Sequence, residues 1–437
     1  MERFKIIHDT VHGSIRVRGV FLGLLESPEL QRLNGISQLG LAHLVFPGAN
    51  HTRLEHSMGT AWVARKLGRA LDLPADEVDL LTAAALLHDV GHGPFSHTLE
   101  AVLHHKLRID HMDLTVRVIR GEDTMVPKAE QRLGGMPTVE EILERHGLDP
   151  AEVADIAAGR SPLSPSILDW QAGHSKPRPR RNEKRYLRQL VHGPLDADQM
   201  DFLMRDSHYT GVAHGAIDME RIMNTMALSK GELVIHEKGV PAIEGMLVAR
   251  GLMYSSIYFH KTVRIAELML SRAVEGALKG DMAEIQKMTD NELLAWLRGR
   301  GEYQKRTVLR LKYRMLMKRA YGLNVSDVTE DRKERLLELA SYDRLRRVED
   351  DVCDRAGLPP GSVVIDLPQP ELLLSEPRIN KTGVKVLTHN GVRYFAQLSP
   401  FGKALEARNV SRWVLMVATD KEHVQKVQKI AERVLFG

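Results

Sequence analysis

The adjacent residues His88 and Asp89 form a pair whose side chains could bind a divalent metal ion. They follow Pro74–Leu87, an apolar stretch rich in Ala and Leu that predicts a buried helix. Imidazole and carboxylate groups at a helix end can both turn toward one ion. A second such pair, His8 and Asp9, occurs near the start of the chain. Because polar residues also cap helices, a pair of this kind indicates a metal site only together with ligands from other elements.

Further ligands are available on two other predicted helices. His56 lies in the segment RLEHS on the predicted helix Arg53–Leu71, and the acidic segment LDADQMD follows further along the chain. Two histidines and two carboxylates from three helices form a mixed nitrogen and oxygen set, which favours Mn, Fe, Zn or Mg over a soft metal. From the residue types alone, the fourth ligand can be Asp196, Asp198 or Asp201.

His97 and Glu100 could supply a proton to a leaving group. They lie three residues apart in SHTLE, about one helical turn, so that the carboxylate could orient and charge the imidazole. A metal ion beside them could acidify water and neutralise charge on a phosphate. The predicted chemistry is therefore phosphoester hydrolysis, whereas a surface ion pair is the simpler interpretation of His97 and Glu100 taken alone.

The elements that position these residues are predicted to be mainly α-helical. The 437 residues are enough for two or three structural units, and 43% hydrophobic and 27% charged residues are typical of a globular protein. With 5% aromatic residues, a helical interior is favoured over a β-sandwich. Cys353 is the single cysteine, which excludes an intrachain disulfide and a multi-cysteine zinc site and favours a cytoplasmic location. No apolar run approaches the roughly 20 residues of a membrane span, and no signal-peptide pattern occurs, so no membrane partner is expected.

The chain is predicted to contain two parts. Residues 1–280 would form a helical core, interrupted by a basic, proline-rich loop at about 160–185. Residues 281–437 would form a smaller part, helical at first and then α+β, for oligomerisation or regulation.

Periodicity and β-rich runs locate the individual elements. Helices of the core are predicted within Ser27–Val118, Asp196–Arg205 and Pro241–Leu278. After helical spacing up to Asp354, a last helix is predicted from Glu422. The strand-like runs between them are Ser362–Asp366, Lys385–Thr388, Tyr394–Leu398 and Trp413–Ala418.

A series of motifs then identifies a family. In chain order they are IHDTVHGSI, QLG, FPGANHTRLEHS, LLHDVGHGPFSHTLE, LDADQMDFLMRDSHYTG and ARGLMYSSIYFHKT, and they span roughly residues 4–265. Taken together, they resemble the SAM-and-HD-domain deoxynucleoside triphosphate triphosphohydrolases and their bacterial and archaeal relatives. The resemblance implies a helical HD-domain core and a divalent metal cofactor. The implied metal ligands are His56, His88, Asp89 and Asp198, with Asp196 and Asp201 as supporting residues.

The same resemblance implies hydrolysis of deoxynucleoside triphosphates to deoxynucleosides and tripolyphosphate, with water attacking the α-phosphorus. His97 and Glu100 would handle the proton of the leaving oxygen, while His92 and His111 would face the phosphates. Residues implied in substrate binding are Gln38 and Leu39 beside the deoxyribose, Asp206 at the 3′-hydroxyl, Arg53 and Arg250 at the phosphates, and Phe202, Tyr254 and Tyr258.

Assembly and regulation are also expected from the resemblance. Family members are commonly homo-oligomers, so a dimer or tetramer is expected, with a nucleotide effector near Lys5, Gln31 and Lys261. Two alternatives stay open. One is an HD phosphohydrolase of a nucleoside monophosphate, cyclic nucleotide or guanosine polyphosphate. The other is nucleic-acid binding or cleavage through the basic segments Lys176–Arg185 and Lys305–Arg319, which a net charge of +4 does not favour.

Overall fold

The structure is a computed structural model and describes residues 3–127, 130, 135–159, 184–339, 341–367, 383–402 and 414–437. The described part is mainly helical with small sheets, so the predicted fold class is confirmed. The helices up to residue 280 are Gly19–Leu25, Pro28–Arg32, Arg53–Ala70, Ala75–Leu87, Ser96–Leu107, His111–Ile119, Val139–Arg145, Pro150–Ala157, Arg185–His192, Ala197–Thr210, Met219–Met223, Val240–Met253 and Lys261–Ala277. The later helices are Met282–Ile285, Asp290–Arg298, Glu302–Lys312, Glu330–Leu339, Tyr342–Ala356, Phe395–Leu398 and Val424–Phe436.

Two helices of the core have boundaries that follow directly from their sequence. The Arg53–Ala70 helix begins with a capping box, in which the Thr52 side chain accepts the Glu55 N–H and the Glu55 carboxylate accepts the Thr52 N–H. The Ala75–Leu87 helix is apolar on all sides over its second half, and every residue from 80 to 87 is buried. It therefore packs among several neighbouring helices instead of facing solvent.

The strands, in chain order, are β1 (Phe4–Asp9), β2 (Gly13–Arg18), β3 (Met226–Ser229), β4 (Glu232–His236), β5 (Lys318–Leu323), β6 (Val363–Asp366), β7 (Lys385–Thr388), β8 (Gly391–Tyr394) and β9 (Leu415–Thr419). β1 and β2 form an antiparallel hairpin. A second sheet has the order β3-β4-β7-β8, in which β4 and β7 are parallel. In the third, β5 and β6 flank β9, and both pair with it in antiparallel register.

Several predicted boundaries need correction. The predicted strand Tyr394–Leu398 is wrong, because β8 ends at Tyr394 and a short helix follows, with Gln397 Oε1 accepting the Tyr394 N–H at 3.2 Å. The predicted helix Pro241–Leu278 is interrupted by a π-helical turn at Tyr254–Tyr258. The basic segment Lys305–Arg319 is not one helix, since the helix ends at Lys312 and β5 begins at Lys318. β1 to β5 were not predicted as strands.

The described part has a large core around the metal-site helices and a smaller core beneath the third sheet. The smaller core contains Val352, Ile365, Val417 and Val427. Residues 383–402 pack instead with the first part, since Val386 and Phe395 belong to the large core. The predicted division at residue 280 stays a prediction, and most of the predicted loop at 160–185 lies outside the described residues. Within the described part, no helix is both long and apolar enough to cross a membrane.

Candidate metal centre and active site

His56 and Asp198 lie on two helices, His88 directly follows a third, and the three residues meet at one point. Each offers one ligand atom, and these atoms all lie within 4.8 Å of one another. Asp198 Oδ1 lies 3.0 Å from His56 Nε2 and 3.7 Å from His88 Nε2. Asp89 is adjacent, with its Oδ1 3.3 Å from His88 Nε2. The structure therefore brings together the four residues that the resemblance implied as metal ligands.

Hydrogen bonds orient both imidazoles so that Nε2 faces this point. His88 Nδ1 donates to the Ala85 carbonyl at 2.8 Å, and His56 Nδ1 lies 2.8 Å from Asp201 Oδ2. A neutral imidazole protonated on Nδ1 has its Nε2 lone pair free for a metal. Burial lowers the pKa of His56, but hydrogen bonds to Asp198 and Asp201 outweigh burial and raise it to about 10. Because a divalent cation between imidazole and carboxylate would take the place of that proton, the donor set fits a metal ion.

The three aspartates of LDADQMD have different partners. Asp196 precedes the Ala197–Thr210 helix and caps it, accepting the Gln199 N–H at 2.7 Å. Asp201 contacts the other side of the His56 ring, at Nδ1. Asp198 is thus the carboxylate directed at the two Nε2 atoms, a distinction that spacing within one acidic segment could not make.

Asp201 is the centre of a buried hydrogen-bond network behind His56. It lies 2.6 Å from His12 Nε2, and it accepts from Arg205 Nε and Nη2, both at 2.9 Å. Arg205 Nη1 donates to Asp9 Oδ2 at 2.9 Å, which connects the β1–β2 hairpin to the metal centre. Burial raises the pKa of Asp201, but the Arg205 charge and these hydrogen bonds hold it well below its usual range. Gly59 permits this approach, because a Cβ there would lie 1.9 Å from Asp201 Oδ1.

A second group, His92, Glu100 and His111, lies beside the metal centre. Their ligand atoms also lie within 4.8 Å of one another. Glu100 Oε1 lies 3.0 Å from His111 Nδ1, and the His111 ring stacks on His92 with ring centroids 4.0 Å apart. Burial lowers the pKa of His111, but the charge of Glu100 outweighs it and raises the pKa, while His111 in turn lowers that of Glu100 against burial. Each group of the pair therefore favours the charged form of the other.

The predicted pairing of His97 with Glu100 is not what the structure contains. Glu100 pairs with His111, whereas His97 Nε2 accepts from Arg53 Nη2 at 3.1 Å. Arg53 Nη1 donates at the same time to Asp89 Oδ2. Although His97 and Glu100 lie on one helix, each therefore bonds to a residue of a different element. Burial and the Arg53 charge lower the pKa of His97 to about 4.

The residues implied in sugar binding form a third group. Asp206 lies two helical turns after Asp198; its Oδ1 is 2.7 Å from His51 Nε2, and its Oδ2 accepts the Tyr258 hydroxyl. Phe202 and Tyr254 both meet the Tyr258 ring edge to face, with centroids 6.2 and 4.8 Å away. Near this group, Arg250 Nη1 donates to Gln199 Oε1 at 2.9 Å. The Gln38 N–H donates to the His51 carbonyl at 3.0 Å, and Leu39 packs against the large core.

The predicted effector residues have separate surroundings. Lys5 is an exposed residue of β1, and its Nζ lies 2.7 Å from Oε1 of Glu26, which follows the Gly19–Leu25 helix. Gln31 Nε2 donates to the Leu25 carbonyl at 2.7 Å, and Lys261 is the exposed first residue of the Lys261–Ala277 helix. An effector role for these residues stays a prediction.

Sequence reasoning missed residues that contact the site from elsewhere in the chain. His12 and His51 lie in the quoted motifs but were assigned no role. Asp290, whose oxygens accept the N–H groups of Ser37 and Phe95, has no sequence signal of its own.

Comparisons with known proteins agree with this geometry. Residues 53–201 match the HD domain, and residues 217–436, just over half of the chain, match the HD associated region. An uncharacterized protein of Methanocaldococcus jannaschii is 29% identical over 97% of this chain and 81% of its own length. The deoxynucleoside triphosphate triphosphohydrolase SAMHD1 of Gallus gallus is 30% identical over 66% of this chain, which spans only 50% of that enzyme.

A solved structure extends the match to the fold. The crystal structure of a hypothetical protein from Aquifex aeolicus superimposes with a TM-score of 0.71 at 26% identity, covering 98% of this chain and 100% of that chain. The matches to the HD domain and to the HD associated region are consecutive and together contain every predicted metal ligand. The chain therefore belongs to the family of HD-domain phosphohydrolases in which an HD associated region follows the HD domain, the family of the deoxynucleoside triphosphate triphosphohydrolases.

Proposed function

We propose that this phosphohydrolase hydrolyses deoxynucleoside triphosphates to deoxynucleosides and tripolyphosphate. The observation that carries the proposal is the convergence of the His56, His88 and Asp198 ligand atoms within 4.8 Å. Arg53 and the neighbouring histidines His92, His97 and His111 lie beside them. Similarity to enzymes named for this activity supports the substrate class. Nucleotide is therefore the partner that we propose, whereas a dimer or tetramer and a nucleotide effector stay predictions.

A divalent metal is the cofactor that this donor set supports. His56, His88, Asp89 and Asp198 would hold it, and Mn, Fe, Mg and Zn all accept such a mixed nitrogen and oxygen set. When bound, the ion would acidify water and neutralise charge on the α-phosphate. Asp201 and the Ala85 carbonyl keep Nδ1 of the two histidines occupied, so that Nε2 remains the ligand atom.

Arg53 is the residue that we expect to respond first to the substrate. Its guanidinium contacts Asp89 and His97, and a phosphate offers the same bidentate geometry with more negative charge. Transfer of the Arg53 donors to phosphate would free His97 Nε2. The negative charge of the phosphate would also offset the positive charge of Arg53, which together with burial lowers the pKa of His97 to about 4. His97 would then take up a proton and could donate it.

The proposed reaction is an in-line displacement at the α-phosphorus. The oxygen of water forms a bond to phosphorus, the bond from phosphorus to the 5′-oxygen breaks, and tripolyphosphate keeps all three phosphorus atoms. One proton of the water stays with tripolyphosphate, and the other is released to solvent, from which His97 later regains the proton that it donates. The 5′-oxygen takes a proton from His97, which acts as the general acid. The charged pair of His111 and Glu100 supports His92 by stacking, and His111 adds positive charge for the phosphates.

Selection of the deoxyribose would depend on the third group of residues. Asp206 is held by His51 and Tyr258, and its carboxylate would accept the 3′-hydroxyl. Gln38 and Leu39 would lie against C2′ and exclude a 2′-hydroxyl, while Phe202, Tyr254 and Tyr258 would pack on the sugar. Arg250, held by a hydrogen bond to Gln199, would also contact the phosphates.

A nucleotide panel tests the proposal. Each of the four dNTPs, the matching ribonucleotides, a deoxynucleoside monophosphate, a cyclic nucleotide and a guanosine polyphosphate is incubated with Mg and with Mn, singly and with the dNTPs mixed. Ion chromatography identifies the products. Tripolyphosphate and deoxynucleoside in equal amounts support the proposal. Turnover of only a non-triphosphate substrate, or release of pyrophosphate or orthophosphate from dNTPs, would contradict it and favour another HD phosphohydrolase activity.

A further inference from the structure

We propose that Asp290 is a positioning residue for the active site, because its carboxylate joins the loop that would contact the sugar to the loop that carries the general acid. The inference rests on the proposed function. Asp290 is the first residue of the Asp290–Arg298 helix, within the HD associated region, and is buried. Its Oδ2 accepts the Ser37 N–H at 2.9 Å and its Oδ1 accepts the Phe95 N–H at 2.8 Å.

The first hydrogen bond fixes the loop that contains Gln38 and Leu39. Ser37 directly precedes both residues and forms an antiparallel bridge with Thr52. The Gln38 N–H donates to the His51 carbonyl at 3.0 Å in the same bridge. Loss of the Ser37 hydrogen bond would therefore loosen the residues that we propose to lie against C2′ of the substrate.

The second hydrogen bond fixes the start of the helix that carries His97 and Glu100. Phe95 precedes the Ser96–Leu107 helix and has a φ of +43°, a left-handed conformation that is uncommon for an aromatic residue. Such a conformation persists only where the surroundings hold it in place. Here the Phe95 ring is buried in a separate hydrophobic cluster that includes Leu41 and Ile265, and its N–H bonds to Asp290. Together these contacts set the direction of the helix.

The chain around Asp290 contacts the same loop at further points. Arg32 Nη1 donates to the Met288 carbonyl at 3.2 Å, and its Nη2 donates to the His92 carbonyl. Gln286 packs so closely on Gly93 that a Cβ there would lie 2.2 Å from Gln286 Oε1. Residues 286–290 thus form one surface against the loop at 92–95, and Asp290 is the point at which that surface also reaches Ser37.

An amide cannot replace this carboxylate. Asn offers one oxygen and one NH2 group, so Asp290→Asn can accept from one of the two backbone N–H groups while its NH2 faces the other. Misplacement of reacting groups by about 1 Å can slow chemistry by roughly 100-fold. We expect kcat of Asp290→Asn to fall by roughly 10- to 100-fold, with little change in KM or in metal content, and we expect the preference for deoxyribonucleotides over ribonucleotides to decrease.

The experiment compares full-length wild type, Asp290→Asn and the control Glu292→Gln. Glu292 lies two residues later on the same helix, and within the described residues its carboxylate accepts from the N–H and the hydroxyl of Thr289, in an exposed capping box. Hydrogen–deuterium exchange is followed in the peptides that contain residues 36–40 and 93–98, and kcat, KM, bound metal and the deoxyribonucleotide preference are measured in parallel. Faster exchange in both peptides and a lower kcat in Asp290→Asn alone support the inference. Wild-type exchange in either peptide, an unchanged kcat or an equal loss in Glu292→Gln overturns it.

Two provisions keep the result decisive. If Asp290→Asn has no cooperative thermal transition, Asp290→Glu is measured by the same criteria, because it keeps the charge but moves both oxygens away from the two amides. The exchange measurement needs no substrate, so it separates this inference from the proposed function. If the wild-type protein releases no tripolyphosphate, the proposed function is contradicted. If exchange is nevertheless faster in the variant, the positioning role is supported, and kcat is then measured on the phosphoester that the protein hydrolyses.

Discussion

Replacement of Asp201 by Asn should weaken metal binding although Asp201 is not a predicted metal ligand. The wild-type carboxylate is fully buried and takes part in four hydrogen bonds, with His56 Nδ1, His12 Nε2 and Arg205 Nε and Nη2. Each oxygen faces one histidine nitrogen and one Arg205 N–H. Whichever oxygen becomes the NH2 group, it will face an Arg205 donor, so the variant loses at least one hydrogen bond to the guanidinium and the whole negative charge.

The magnitude follows from these contacts. Removing one partner of a buried ion pair destabilises a protein by about 3–5 kcal/mol, and here Asp9 remains as a second carboxylate on Arg205, so that the lower value is expected. The group that fixes the Nδ1–H of His56 changes from a carboxylate to an amide, which carries no charge and can turn its NH2 group toward the ring. Loss of such a partner behind a metal ligand usually lowers metal affinity by roughly 10- to 100-fold.

Two assays separate these effects. Urea unfolding with excess chelator gives the free energy of unfolding without metal, and competition with a chromophoric chelator gives the metal affinity. Asp366→Asn is the matched control, because Asp366 is also buried and, like Asp201, accepts from an arginine, with Arg264 Nη2 2.8 Å from its Oδ1. The control should lose stability and keep its metal affinity. Unchanged metal affinity in Asp201→Asn, or an equal decrease in both variants, would refute the reasoning.

Other predictions concern the proton and the sugar. His97→Gln should keep its metal while kcat falls by roughly 10²–10⁴-fold, as measured by product release and metal analysis. Tyr258→Phe removes a hydroxyl bound to Asp206 and should raise KM for dNTPs by about tenfold, the lower end of the weight of one hydrogen bond to a charged group. The raised pKa of His111 stabilises the fold fully below pH 6.5, and this stabilisation is lost as the pH rises above that value. The lowered pKa of Glu100 stabilises the fold fully above pH 4.5, and this stabilisation is lost as the pH falls below that value. Glu100→Gln should therefore lose most stability between these two pH values, and a constant difference in urea unfolding from pH 5 to 9 would argue against the pair.

Helix positions were predictable where one local pattern determines the element. The Arg53–Ala70 and Ala75–Leu87 helices follow from apolar spacing and, for the first, from the capping box. The segment Tyr394–Leu398 was predicted wrongly as a strand. Its aromatic residues favour a strand, but the Gln397 side chain accepts the Tyr394 N–H and so caps a short helix. The pairing of β4 with β7 could not be predicted, because β7 comes from a distant part of the chain.

The site was predictable to the extent that its residues lie in motifs. Spacing alone left Asp196, Asp198 and Asp201 equivalent, and their different partners appear only in three dimensions. The pairing of Glu100 with His111 depends on how the helix that begins at His111 packs, which one-turn spacing does not reveal. Asp290 reaches the site across long sequence separations, so no local pattern indicates it.

The most direct test of the proposed reaction is one incubation of a dNTP in ¹⁸O-enriched water, with both products analysed by mass spectrometry. Attack of water on the α-phosphorus predicts one ¹⁸O atom in tripolyphosphate and none in the deoxynucleoside. Label in orthophosphate or pyrophosphate, with a nucleotide as the other product, would contradict cleavage between the α-phosphorus and the 5′-oxygen. Label in the deoxynucleoside would contradict attack at phosphorus.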